Sequence, residues 1–375
     1  MSKITLAHGG GAAETRELIA EIFAAKLGNP VLDRAEDAGL TAIAAGKIAL
    51  STDSFVVAPI FFAGGDIGKL AIAGSCNDVA VSGAKPKFLS AGFILEEGLE
   101  IADLERVVDS FAAELSKNGA IIATADTKVV PKGAAGGALY INTTAIGEVI
   151  LDALDSAALN EGDVIVASGS AGDHGAAIFA ARGGIDLAGL ESDCASLFPL
   201  VETLIAARLP IVCMRDATRG GLAAAANEWA IASGVEITLE EKAIAVKSAV
   251  LGACELLGFE PYALANEGMM IAAFRGESAA AEAVKIMREN PLGRDSAIIG
   301  RVTKKFACAA AGDLRSAENS GSRVAALGDL RSTIDGANAL ANLSARNLAR
   351  VILRSPHGSS RYLEMPSGEL LPRIC

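Results

Sequence analysis

Hydrophobic positions recur along this chain with two periods, and the switches between them mark out its elements. Residues 47–57 alternate in places and are rich in Ile and Val, which predicts a strand. Past the Gly64-Gly65 turn, Ile67, Leu70, Ala71 and Gly74 return at helical spacing. Ile101, Leu104, Val107, Val108, Phe111 and Leu115 do so again, predicting an amphipathic helix that Asn118-Gly119 stops. Strand character resumes over residues 120–130 and 137–150. Strands outnumber helices in this half, so the pattern predicts an α+β arrangement rather than a doubly wound parallel sheet.

A polar turn over residues 152–162 precedes another strand at 163–168, and the second half then alternates more regularly. One helix follows a glycine loop and another begins after Gly221, with strands expected at 235–239, 269–274 and 297–302. From 306 to 349 Ala, Ser, Gly, Asn and Arg dominate, and Gly312-Asp313-Leu314-Arg315-Ser316 recurs as Gly328-Asp329-Leu330-Arg331-Ser332. That stretch reads as an insert, helical or flexible, to which the sequence assigns no chemistry. The expected division is therefore 1–151, 152–305, the insert 306–349, and a last strand with a mobile tail over 350–375. A chain of 375 residues has material for two cores.

Composition narrows the partners. Hydrophobic residues make up 51% of the chain but aromatics only 4%, so small side chains packed tightly account for the apolar content. No apolar run reaches spanning length, and the first residues lack the apolar core of a signal peptide, which predicts a cytoplasmic protein with no membrane partner. A net charge of −12 argues against nonspecific nucleic-acid binding. The six cysteines stand far apart without a Cys-x-x-Cys pair, giving neither a disulfide framework nor a zinc signature.

Three aspartates flanked by small polar residues are candidate ligands for a hard cation: Asp53 in Thr52-Asp53-Ser54, Asp78 in Asn77-Asp78, and Asp126 in Thr124-Ala125-Asp126-Thr127-Lys128. Each taken alone reads equally as a cap or turn residue. Two glycine-rich segments, His8-Gly9-Gly10-Gly11 and Ser168-Gly169-Ser170-Ala171-Gly172-Asp173-His174-Gly175, could cradle phosphates or simply make tight turns. Arg215-Asp216-Ala217-Thr218-Arg219-Gly220-Gly221 suits an anion, with an internal Arg–Asp pair as the alternative. Glu267, in Asn266-Glu267-Gly268, is placed to be a general base or a solvated turn residue. The chain closes on Pro372-Arg373-Ile374-Cys375, and the ten residues after Met365 could carry that thiol about 33 Å if extended.

Together these segments, with Ser51-Thr52-Asp53-Ser54-Phe55-Val56-Val57, Phe61-Phe62-Ala63-Gly64-Gly65-Asp66-Ile67-Gly68-Lys69-Leu70 and Gly83-Ala84-Lys85-Pro86, resemble the HypE family of hydrogenase maturation proteins. That family sits in the superfamily of aminoimidazole ribonucleotide synthetases, selenophosphate synthetases and thiamine-monophosphate kinases. The resemblance runs from residue 7 to about 304, resumes near Arg350, and includes the Cys375 tail that the sister families lack. Ala63 and Ala217 stand where the family pattern has proline.

The resemblance implies a two-domain fold like that of the synthetases, with ATP and Mg²⁺ bound by the N-terminal domain and a homodimer formed through it. It implies that a carbamoyltransferase, HypF, loads Cys375, and that ATP-dependent dehydration leaves a thiocyanate whose cyano group passes to a HypC–HypD iron scaffold. On that basis Cys375, Glu267, Lys128 and His174 are the candidate catalytic residues. Gly9, Gly10, Gly11, Asp53, Asp66, Lys69, Asn77, Asp78, Asp126, Asp216 and Arg219 are expected to bind nucleotide, with Asp53, Asp78 and Asp126 on the metal. The alternatives are a relative acting on a free metabolite, or a scaffold that holds nucleotide only for shape.

Overall fold

A four-stranded sheet organises the first half in the computed structural model, which describes residues 3–9, 13–34, 41–42, 45–134, 138–185, 188–306 and 347–366. Its strands are β1 (Ile48–Phe55), β2 (Ala84–Glu96), β3 (Ile121–Val130) and β4 (Leu139–Val149), in the order β1-β4-β2-β3. Only β2 and β3 run parallel. Helix α1 (Ile67–Val81) and helix α2 (Ile101–Lys117) cover one face. A helical segment over Ala13–Leu18, continued through Ile19–Ala24 and Ala25–Leu27, packs Leu18, Ile22, Phe23 and Leu27 into the same core.

The two helices are built differently because they meet different surroundings. In α2 the buried positions fall on one stripe (Leu104, Val107, Val108, Phe111, Leu115), as the pattern predicts. In α1 nearly every residue is buried, because the helix lies between the sheet and the second half of the chain. Small residues make that possible: Gly74 sits against the Phe55 ring and Gly68 against the Val107 carbonyl. Asp66 caps α1, its Oδ1 accepting from the backbone N–H of Gly68 at 2.8 Å and Lys69 at 3.0 Å and from Ser110 Oγ.

The opposite face of this sheet carries no covering helix among the described residues. Ile48, Leu50 and Ile94 are exposed there, Leu50 to 64%.

The second half carries a seven-stranded sheet of β5 (Val164–Ala167), β6 (Ile211–Asp216), β7 (Val235–Glu240), β8 (Met270–Phe274), β9 (Ala297–Lys305), β10 (Arg350–Arg354) and β11 (Ser360–Tyr362). Their order is β11-β10-β7-β9-β5-β8-β6, antiparallel except for β10 beside β7. Helix α3 (Asp173–Gly183) follows the glycine loop, α4 (Phe198–Ala206) and α7 (Glu277–Arg288) share one core, and α5 (Gly221–Ser233) sets Trp229 into another. The remaining helix is α6 (Ser248–Leu257). At the start of α5, Gly221 has φ +59°, and a Cβ there would lie 2.3 Å from the Leu264 carbonyl oxygen. Only glycine satisfies both conditions.

Most of the expected elements appear within a residue or two. Strand β2 was not marked by the pattern, since Pro86 reads against an interior strand. A bulge between Pro86 and Phe88 accommodates the missing N–H. The insert with its repeated segment, Gly10, Gly11 and the Cys375 tail lie outside the described residues, apart from the ends of the insert. No helix among the described residues is long and apolar enough to cross a membrane.

Candidate active site

Four elements converge on a cleft of about 610 Å³ between the two halves. Strand β1 supplies Ser51 and Asp53, the last turn of α1 supplies Asp78, the end of β6 supplies Asp216, and the following turn supplies Thr218 and Arg219. Glu267 reaches the same cleft from the turn before β8. The strand alternation that turns Phe55 into the core also turns Asp53 toward α1 and its Asp78.

Electrostatically the cleft is a crowd of carboxyls. Ser51 Oγ donates to Asp78 Oδ2 at 2.5 Å, and Asp53 lies close enough to Asp78 to feel its charge. Burial and the Asp78 charge lift Asp53 from 3.8 to about 6, with Arg219 opposing the rise. Burial and the Asp78 charge also lift Asp216 to about 7. Glu267, buried to 2% exposure, is raised well above the ordinary carboxylate range by burial first and by the Asp216 and Asp193 charges next. The Oδ2 atom of Asp216 is buried with no hydrogen-bond partner.

Such a site is incomplete without a cation. The donor set fits Mg²⁺: a dication carried on a polyphosphate would supply positive charge to Asp53, Asp78 and Asp216, one of whose buried oxygens has no partner. No three His, Cys, Asp or Glu side chains among the described residues are arranged to hold a metal by themselves.

A stability prediction follows from Asp216. Between 3.8 and about 7 the folded protein keeps a proton that the unfolded chain has released, so the ligand-free protein loses stability as pH rises through that window. Asp216→Asn keeps the shape without the charge. The variant should exceed the parent at pH 8 by on the order of 1–3 kcal/mol and match it near pH 4, read by denaturant melts without nucleotide.

The comparisons with known proteins give this cleft its family. Residues 35–149 match the AIR synthase related protein N-terminal domain, and 160–311 match its C-terminal domain. The carbamoyl dehydratase HypE of Rhodobacter capsulatus is 40% identical over all of this chain and 98% of that protein. The chain belongs to the HypE family of carbamoyl dehydratases. A crystal structure of HypE in complex with ATP superposes with a TM-score of 0.83 at 40% identity, covering 99% of each chain. The structure of a HypE–HypF complex gives 0.71 at 35% identity, covering 93% of this chain and 99% of that one.

The other expected residues stand elsewhere. Asp126 and Lys128 lie on β3, ion-paired to each other at 2.7 Å. Register rows place Asp53, Thr143, Ala91 and Ala125 on one face, and Ser54, Asn142, Gly92 and Asp126 on the other. Asp126 is thus on the uncovered face, three strand spacings or about 14 Å from β1. Within one chain the trio Asp53, Asp78 and Asp126 is not assembled, and Asp216 stands as the third carboxylate instead.

His174 does not line the cleft: its Nδ1 lies 2.8 Å from Ser192 Oγ, with the ring edge-on to Phe62. Asp66 and Lys69 are engaged in the α1 start, Lys69 Nζ donating to the Gly64 carbonyl at 2.9 Å. Asn77 spends its amide on the backbone of residues 195–197 and Glu267. Gly9 closes a 3-10 turn, Leu6–Gly9. In the second glycine loop the N–H groups of Ala171, Gly172 and Gly175 bind Ala245, Asn266 and Ala265, so they make a turn and not a phosphate cradle. Arg215 pairs with Glu228 rather than with Asp216.

Ser51 stands in the family-matching stretch 51–57 without a role of its own assigned, and Asp193 sits in an aperiodic stretch where an aspartate carries no signal.

Proposed function

We propose that this chain dehydrates an S-carbamoyl group on its own Cys375 to an S-cyano group, with ATP taking up the oxygen as phosphate. The observation that carries the reading is the cleft itself. A buried, basic Glu267 faces the cation-seeking Asp53, Asp78 and Asp216, with Arg219 on the same wall. A carboxamide oxygen leaves poorly, and phosphorylating it lets phosphate leave instead. The amide oxygen bonds to the γ-phosphorus as the P–O bond to ADP breaks. The C–O bond then breaks, the carbon–nitrogen bond becomes triple, and the two N–H protons pass one to Glu267 and one to the departing phosphate. ADP and phosphate are the other products.

In this reading Glu267 accepts a nitrogen proton, and a cation offsetting the neighbouring aspartate charges would favour the ionised form it needs for that. Arg219 offsets phosphate charge. Asp53, Asp78 and Asp216 are the residues that would hold Mg²⁺, which would supply neutralising charge to the transferring phosphoryl group. The described chain stops with Pro366 beside Gly220, at the rim next to Arg219, and nine residues from there can reach about 30 Å. That starting point supports delivery of Cys375 into the cleft.

Residues 1–151 are taken as the nucleotide-binding and dimer-forming half. A second copy placed against the uncovered sheet face would bury Ile48, Leu50 and Ile94, and it would bring Asp126 and Lys128 to a neighbouring nucleotide. HypF loads the thiol, and the HypC–HypD scaffold receives the cyano group for the iron of a nickel–iron hydrogenase, all in the cytoplasm.

The deciding experiment is intact-mass analysis of the C-terminal peptide after incubation with carbamoyl phosphate, ATP, Mg²⁺ and HypF. A carbamoyl adduct on Cys375 that then loses one water is expected. An unmodified tail with steady ATP turnover would point to a free small-molecule substrate.

A further inference from the structure

Glu267 has no freedom to choose its place, because another carboxylate holds its turn. Asp193 Oδ1 accepts from the Glu267 backbone N–H at 3.0 Å, and Oδ2 accepts from Gly268 N–H at 3.1 Å and from Asn266 Nδ2 at 2.8 Å. The approach is so close that a Cβ on Gly268 would fall 1.8 Å from the Asp193 carbonyl oxygen. On the other side of the same peptide unit, the Glu267 carbonyl accepts from Ala195 N–H at 3.2 Å. Segment 193–195 therefore grips the residue by both backbone groups.

That segment is in turn fastened to the first half of the chain. Asn77 on α1 accepts from Leu197 N–H at 2.7 Å and donates to the Ala195 carbonyl at 3.0 Å. Glu114 on α2 accepts from Ser196 N–H at 2.7 Å, and Ser192 N–H donates to the Ala63 carbonyl at 2.8 Å. Asp53 and Asp78 belong to the same half. Glu267 comes from the other, so its register against them depends on this strap.

We propose that Asp193 is a positioning residue for Glu267: its carboxylate bolts the Asn266–Gly268 turn to the strap, fixing the base against the aspartates across the cleft. Asp193 does not line the cleft, so its carboxylate acts there only through the turn it holds. The inference rests on the reading of Glu267 as the base.

The test uses the full chain loaded by HypF, comparing the parent, Asp193→Asn, Asp193→Glu and Glu267→Gln. Asp193→Asn sets an amide N–H against N–H donors, and Asp193→Glu keeps the charge but moves the oxygens by one methylene. In both, kcat for loss of water from the carbamoylated tail should fall about 10- to 100-fold. KM for ATP should stay within about twofold of the parent, since Asp53, Asp78 and Arg219 are untouched. A kcat within about twofold of the parent in Asp193→Asn overturns the proposal. A joint loss of kcat and ATP affinity, or of soluble protein in both variants, also overturns it, because the carboxylate would then be holding the whole cleft. Full turnover in Glu267→Gln would sink the reading beneath it, and that outcome is told apart by the Glu267 variant alone.

Discussion

A Cys375→Ala variant is expected to bind ATP with the parent's affinity and to form no thiocyanate. The basis is spatial: the carboxylates and Arg219 that line the cleft all come from residues 51–267, and the described chain passes only its rim, at Pro366. Removing a thiol nine residues further on takes away the substrate's anchor and leaves the nucleotide's contacts alone. Calorimetric titration with ATP and the mass of the C-terminal peptide read the two halves of the prediction separately. A drop in ATP affinity would mean that the thiol belongs to the nucleotide site, and the proposed division of labour would be wrong.

Glu267→Gln should lose on the order of 10²- to 10⁴-fold in turnover while the carbamoylated tail accumulates. The change is nearly isosteric and removes a titratable carboxyl from a cleft that already holds Asp53, Asp78 and Asp216, so nucleotide affinity should hold or improve. His174→Gln offers the contrast. Its imidazole faces Ser192 and Phe62 outside the cleft, and its loss should cost fold stability more than turnover. Quenched-flow measurement of water loss from a preloaded tail distinguishes the two. If the histidine variant is the dead one, the proton acceptor has been misassigned.

Much of the frame was legible from periodicity, and the reasons for the gaps are specific. Helix α2 has one polar and one apolar face, so its limits could be read from Ile101 to Leu115. Strand β2 hid behind Pro86 because the bulge that rescues it exists only in the paired sheet. Asp53, Asp78, Asp216, Arg219 and Glu267, all singled out by type and neighbours, do share one cleft. Asp126 did not join them. One extra residue in β3, Ala123, is skipped in the pairing with β2, which reverses the alternation and turns Asp126 and Lys128 outward. No count along the sequence reveals such a reversal. Asp66, Lys69 and Asn77 match the family pattern as strongly as the cleft residues do, yet their side chains serve the architecture that holds the cleft.

The strap over residues 192–197 also limits how this molecule can move. Swinging the two halves apart about the 150–163 connection would break the hydrogen bonds from Asn77, Glu114 and the Ala63 carbonyl together, each worth about 0.5–1.5 kcal/mol or more where a charge takes part. A clamshell cycle, opening for nucleotide and shutting for chemistry, would have to tear that seam at every turnover. The gap between the aspartates and Glu267 is therefore a fixed gauge, and traffic through it is set by what enters rather than by the jaws.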